Sequence, residues 1–274
     1  QPPIYPPMLT APGNGGRICR SVPLVEQDQR YEIDFAAFER AITDHTSLFL
    51  LCRPHNPTGR VFERWELERL AEICLAHNVV ICSDEIHCDI IYPGHHHIPI
   101  AALDSEVAAQ TITLFAPSKT FNVPGLKCSV GVVQNPELLK ALNKTAAGIV
   151  PGVNALGYTA ALAAYGDGQV WLDELLLYLE ANRDFLLAYL SAYIPTIKCK
   201  KPEGTFLAWL DCREAGIPGN PHEFFLEQAR VALNDGLRFG EGGEGFVRLN
   251  FGCPNTVLSD ALDQMRTALE SLHS

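Results

Sequence analysis

Along the first 150 residues, apolar positions come in short runs, each ended by a cluster of polar, Pro and Gly residues. Residues 47–52, 79–82, 111–115 and 129–133 are such runs and read as buried strands. Between them the apolar period changes to that of a helix. Leu67, Leu70, Ala71 and Cys74 line one face of a helix expected over 62–77. Asp34 can cap a helix over about 35–44, and 136–147 reads as another. Residues 1–30 are rich in Pro and Gly and read as turns, with Tyr5 held in extended backbone between prolines. From about 152 the pattern lengthens into helical stretches at 153–165 and 169–192, a strand at 206–210, a helix at 221–235, an alternating strand at 246–251 and a last helix at 257–271. Strands and helices in this alternation predict an α/β fold with a mostly parallel, doubly wound sheet. The expected division is a large domain over 1–150 and a smaller α+β domain over 151–274 that includes the long connecting helix.

Composition narrows the function. Apolar residues make up 47% and charged residues 19%, a globular balance. The net charge of −11 lacks the basic footprint of a nucleic-acid binder, so a small-molecule substrate is expected. No apolar stretch approaches the length of a membrane span, and the start has no basic segment followed by an apolar one. The nine cysteines are odd in number and form no C-x-x-C pair; several, including Cys52, Cys74, Cys82, Cys88 and Cys128, lie in or beside apolar runs. They read as reduced thiols of a cytoplasmic protein.

The polar clusters after the strands carry the candidate chemistry. Asn56, Asp84 and Lys119 each follow a strand's carboxyl end, where open α/β sheets bind ligands in a crevice. A primary amine there suits a Schiff base with a carbonyl compound; the plain alternative is a solvated loop lysine. His95, His96 and His97 are adjacent, so on a regular strand they cannot all face one ion, and no Cys or carboxylate spacing completes a ligand set. No metal is expected.

Five segments in order, Pro-Ile-Tyr-Pro-Pro (3–7), His-Asn-Pro-Thr-Gly (55–59), Ser-Asp-Glu-Ile-His (83–87), Ala-Pro-Ser-Lys-Thr-Phe (116–121) and Phe-Val-Arg-Leu-Asn-Phe (246–251), resemble the fold-type I pyridoxal 5'-phosphate (PLP) enzymes, the class I/II aminotransferase superfamily. The wording around Asp84 and Lys119 is most similar to the cystathionine β-lyase branch, the MalY/PatB-type C–S lyases. The resemblance implies PLP as cofactor. It implies that Lys119 bonds the cofactor aldehyde and then serves as general base, and that Asp84 faces the pyridine nitrogen. It further implies that Asn56 donates to the ring oxygen, Tyr5 stacks on the ring, Ser118 binds the phosphate and Arg248 forks onto the substrate carboxylate. Turn chemistry for Asn56, a core position for Tyr5 and a strand-edge ion pair for Arg248 stay open as plain readings. His87 stands where many aminotransferases carry Tyr against the ring oxygen. Lys127 stands where many carry a phosphate-binding Arg, and is a candidate phosphate contact only.

Members of this family extend further at the amino terminus, with a glycine loop that cradles the phosphate. The chain, which opens at Gln1, is therefore expected to be N-terminally truncated. The implied reaction is β-elimination of cystathionine or a related cysteine S-conjugate to a thiol, pyruvate and ammonia. An aminotransferase and a catalytically incompetent fragment are the alternatives. The resemblance also implies a homodimer.

Overall fold

A computed structural model describes residues 1–28 and 30–272 of the chain. In order, its strands are β1 (Val25–Glu26), β2 (Tyr31–Glu32), β3 (Leu48–Cys52), β4 (Val80–Asp84), β5 (Thr111–Phe115), β6 (Val130–Val133), β7 (Lys198–Cys199), β8 (Leu207–Asp211), β9 (Asn234–Asp235) and β10 (Phe246–Asn250). Its helices are α1 (Pro6–Asn14), α2 (Phe35–Ala41), α3 (Arg64–Ala76), α4 (Ser105–Ala109), α5 (Pro117–Thr120), α6 (Pro136–Ala146), α7 (Ala155–Asp167), α8 (Gln169–Tyr193), α9 (Pro221–Phe224) and α10 (Asn255–Ser271).

The chain forms two compact units, and both are discontinuous. One holds residues 35–54 and 61–176; the other holds 1–34, 55–60 and 177–274. The sequence expectation of a single cut at 150 differs from this. Residues 1–34 join the carboxyl-terminal unit through long-range backbone pairing: Ile4 N–H donates to Phe239 C=O at 2.8 Å. Such pairing leaves no local signature. The last of the four cuts, between Leu176 and Leu177, falls inside α8.

In the first of these units the sheet order is β3-β4-β5-β6. β3, β4 and β5 run parallel, and β6 is antiparallel to β5. Thus the expected α/β fold with a mostly parallel sheet is present. α3 buries Leu67, Leu70, Ala71, Ile73 and Cys74, the predicted stripe. Each fully buried Leu or Ile contributes about 1.5–3 kcal/mol over the exposed state. The Glu66 carboxylate accepts the Glu63 N–H at 2.7 Å, which satisfies a donor at the start of α3.

The other unit carries an antiparallel sheet in the order β7-β8-β10-β9. α10 lays Leu258, Leu262, Met265, Ala268 and Leu269 into its core. Trp209 stacks on Phe246 with centroids 5.1 Å apart. Asn182, on α8, donates to Phe251 C=O at 3.0 Å and Cys253 C=O at 2.8 Å, tying the helix to the end of β10.

Two elements differ from expectation. The Pro-rich start contains α1, begun by Pro6 and Pro7, whose fixed φ suits the first helical turn. The helix expected over 221–235 stops early: α9 widens into a π turn over Phe225–Ala229 and ends at Arg230, whose φ is 59°. Residues 231–233 then lead into β9, which pairs with β10. Strand pairing overrides the local helical pattern. All nine cysteines are free thiols; Cys52, Cys74 and Cys128 are buried. Among the described residues, no helix is long and apolar enough to cross a membrane.

Candidate active site

The parallel sheet places one candidate group at the end of β4 and another on the turn that follows its neighbour β5. Asp84 is the last residue of β4 and pairs in register with Leu114 of β5. Glu85 N–H donates to Leu114 C=O at 2.8 Å, and Arg53 N–H donates to Asp84 C=O at 2.9 Å. The end of β4 is therefore pinned on both sides. Lys119 lies five residues past Leu114, on the single turn α5, with Pro117 at its start. Ser118 and Lys119 are half-buried, while Thr120 is fully buried.

Burial pushes the Asp84 carboxyl up, and the neighbouring Glu85 charge pushes the same way; the Ile86 N–H and Lys119 pull it down. Asp84 Oδ1 accepts the Ile86 N–H at 3.2 Å, and among the described residues no donor reaches Oδ2. A half-buried carboxylate with one free oxygen is stabilised by a cationic N–H. A protonated pyridine nitrogen is such a donor. His87 is buried on the turn that follows Asp84. Lys127 is exposed in left-handed backbone, with φ 49°.

Behind this strand end lies a charge cluster that motif reading missed. Arg53 and Glu85 are both almost fully buried, with Arg53 Nη1 and Glu85 Oε1 3.8 Å apart. Glu85 also accepts from Ser83 Oγ at 2.8 Å and from Ile100 N–H at 3.3 Å, and pairs with His97 Nε2 at 2.7 Å. Burial alone raises the Glu85 carboxyl, but His97, Arg53 and Ser83 outweigh it and hold the group below the usual range. Burial lowers the Arg53 guanidinium to about 10. The third histidine of the triplet is thus a structural partner of Glu85. Only the adjacency of charged residues within apolar runs hinted at this cluster.

Tyr5, Asn56 and Arg248 belong to the other unit. Arg248 sits on β10 and donates through Nη1 to Asn56 Oδ1 at 2.7 Å. Its Nε and Nη2 both donate to Asn234 Oδ1, at 3.1 and 2.7 Å. The guanidinium also lies over the Phe239 ring, 5.0 Å from its centre. A guanidinium has five N–H donors, so two remain here, one on each terminal nitrogen, which is the fork a carboxylate takes. Burial lowers the Arg248 group, while Tyr5 acts in the opposite direction. With its Oδ1 occupied by Arg248, Asn56 keeps its amide N–H groups for a ligand. Asn56 is buried and Tyr5 is exposed. Asn234, which orients Arg248, was not legible in the sequence because it is fourteen residues away on a different strand.

Within the parallel-sheet unit the donors suit PLP: an amine for the aldehyde, a carboxylate oxygen for the ring nitrogen and a hydroxyl beside the amine for the phosphate.

Comparison with known proteins agrees. The family model for class I and II aminotransferases matches residues 1–265. Cystathionine beta-lyase PatB of Bacillus subtilis is 41% identical over 274 residues, spanning 98% of this chain and 70% of PatB. Cystalysin of Treponema denticola, whose crystal structure contains PLP, superposes with a TM-score of 0.95 at 34% identity, over 99% of this chain and 70% of that one. A PLP-bound putative aminotransferase from Clostridium difficile 630 gives 0.94 at 39% identity, over 98% and 70%. The chain belongs to the class I and II aminotransferase family.

Proposed function

We propose that this chain is a PLP-dependent carbon–sulfur lyase that cleaves cystathionine or a related cysteine S-conjugate to a thiol, pyruvate and ammonia. The observation that carries the reading is Asp84 at the end of β4 and Lys119 on the turn that follows the adjacent parallel strand β5, in a chain 41% identical to a cystathionine beta-lyase. When bound, the cofactor's pyridinium ring delocalises the electron pair left at the substrate Cα. Asp84 Oδ2 keeps the ring nitrogen protonated. Lys119 Nζ would hold the cofactor through its aldehyde and would take the proton from the substrate Cα. Ser118 binds the phosphate through its hydroxyl, with Lys127 as a further phosphate contact. Asn56 and His87 donate to the ring oxygen, and Tyr5 covers the ring face. Arg248 holds the substrate carboxylate through its two remaining N–H groups.

An aminotransferase would use the same residues and return the proton to the cofactor rather than expel a thiolate. The likeness to a putative aminotransferase supports this second reading. Pyruvate release from cystathionine with no keto acid added separates them. Turnover that requires a keto acid and yields no pyruvate would favour the transferase.

A homodimer is part of the proposal. Ile149, Val150, Leu156, Tyr158, Leu162 and Val170 are exposed apolar side chains within one stretch, the kind of surface that association covers. Light scattering should give twice the chain mass. Nine free thiols support a cytoplasmic setting.

A further inference from the structure

The lysine turn is held by a contact that none of the family motifs includes. Thr120, the residue after Lys119, is fully buried, and its Oγ1 donates to Asp89 Oδ2 at 2.7 Å. Asp89 lies on the turns that follow Asp84, where Cys88 N–H donates to Glu85 C=O at 2.9 Å and Ile90 N–H to His87 C=O at 3.0 Å. The other oxygen, Oδ1, takes a weak contact from Cys88 Sγ at 3.6 Å. Burial pushes the Cys88 thiol up to about 12, with the Asp89 charge adding to it, so that thiol stays protonated. Burial and Asp89 likewise push the Tyr165 phenol up. Among the described residues, the one short hydrogen bond to the Asp89 carboxylate comes from Thr120.

The apolar packing of α5 comes from Phe121 against Tyr165 and Trp171, and its backbone hydrogen bonds are local. The helix is a single turn, four residues long, closed by Phe121 N–H to Pro117 C=O at 2.8 Å, with Val123 N–H donating to Ser118 C=O at 3.1 Å. These bonds shape the turn but do not orient it toward β4. The Asp89–Thr120 bond spans the two segments, since one end belongs to the chain leaving Asp84 and the other is bonded to Lys119.

We propose that Asp89 is a positioning residue: by holding the Thr120 hydroxyl, it sets where the Lys119 amine stands relative to the Asp84 strand end. The inference rests on the function proposed above. A lysine that must reach both the cofactor aldehyde and the substrate Cα is sensitive to small displacements; a shift of ~1 Å can cost about 100-fold in rate.

The test uses the full chain with added PLP. The variants are Thr120→Val, which removes the hydroxyl at equal volume, Thr120→Ser, which keeps it, Asp89→Ala, and the double variant Asp89→Ala/Thr120→Val. The readouts are the rate at which borohydride fixes the pyridoxyl group on Lys119, followed by mass spectrometry, the PLP affinity by fluorescence titration, and kcat and KM with cystathionine. Thr120→Val and Asp89→Ala should each slow labelling and lower kcat by about 10- to 100-fold, with KM within about threefold. Thr120→Ser should stay within about threefold of the parent. The double variant should lose no more than the worse single one, as for two ends of one contact. Labelling of Thr120→Val at the parent rate overturns the inference, as does a Thr120→Ser variant as impaired as Thr120→Val. If Asp89→Ala does not fold, Thr120→Val against Thr120→Ser decides alone. Failure of the parent itself to label at Lys119 would instead overturn the proposed function.

Discussion

Replacing Glu85 by alanine takes the anion out of a fully buried charge cluster. Arg53 Nη1 and Glu85 Oε1 are 3.8 Å apart, with the side chains 1% and 3% exposed. At the effective dielectric constant of about 20 that suits protein sites, two unit charges at this distance attract by about 4 kcal/mol. Truncation also deprives Ser83, His97 and the Ile100 N–H of their acceptor. Removing one partner of a buried pair costs about 3–5 kcal/mol, because the remaining ion stays desolvated. We expect Glu85→Ala to lose roughly 4 kcal/mol, which in a chain of this size is roughly 10 °C in melting temperature. Thermal and urea unfolding followed by circular dichroism read it. Glu85→Gln keeps the shape and one acceptor oxygen and should lose about half as much. Arg53→Leu/Glu85→Leu removes both charges and should recover most of the loss, since a buried pair is often replaceable by apolar groups. A Glu85→Ala variant that melts within about 2 °C of the parent would refute the reasoning. So would a double variant as unstable as the sum of its parts.

Other predictions follow from single contacts. Asp84→Ala should weaken PLP binding and slow the Cα proton step, seen as a deuterium isotope effect that grows; unchanged affinity and kinetics remove its role at the ring nitrogen. At Gly168 a Cβ would lie 2.5 Å from Phe121 Cε1 and against the Ala164 carbonyl. Gly168→Ala should cost about 1–3 kcal/mol as overpacking and reduce kcat through Phe121, two residues from Lys119; parent-like stability in urea would show that the helix end yields. Burial pushes His55 down to about 3, so it is neutral in the fold. The unfolded chain binds a proton there below about 6.5. Stability is therefore complete above that pH and is lost as pH falls from about 6.5 toward about 3, by at most ~1.4 kcal/mol per unit. His55→Asn should flatten this slope between pH 6.5 and 5, above the range where ordinary carboxylates titrate; an unaltered slope would assign it to other groups.

The parts of the fold legible in the sequence were those with a local cause. β5 coincides with the apolar run 111–115, and α3 follows the stripe of Leu67, Leu70, Ala71 and Cys74. Asp84 and Lys119 stood out because each follows a buried strand, and the sheet does put their strands side by side. What stayed hidden depends on distant partners. The residues after Ala229 leave the helix to pair with β10. Residues 1–34 belong with the carboxyl-terminal unit, where Ile4 N–H finds its partner in Phe239 C=O. The third histidine of the triplet serves Glu85, twelve residues earlier. Thr120 looked like part of a motif and proves to be held by Asp89, 31 residues before it. Hydrophobic period reports which face is buried, but not which polar group waits on that face.

The central claim is that Lys119 is the residue that bonds the cofactor. The chain should be mixed with PLP, reduced with borohydride, digested and sequenced by mass spectrometry, with Lys119→Ala in parallel. We expect a single pyridoxyl group on the peptide that contains Lys119, lost in the variant together with pyruvate formation. A label spread over surface lysines, or one that persists at the same yield in Lys119→Ala, would contradict the account.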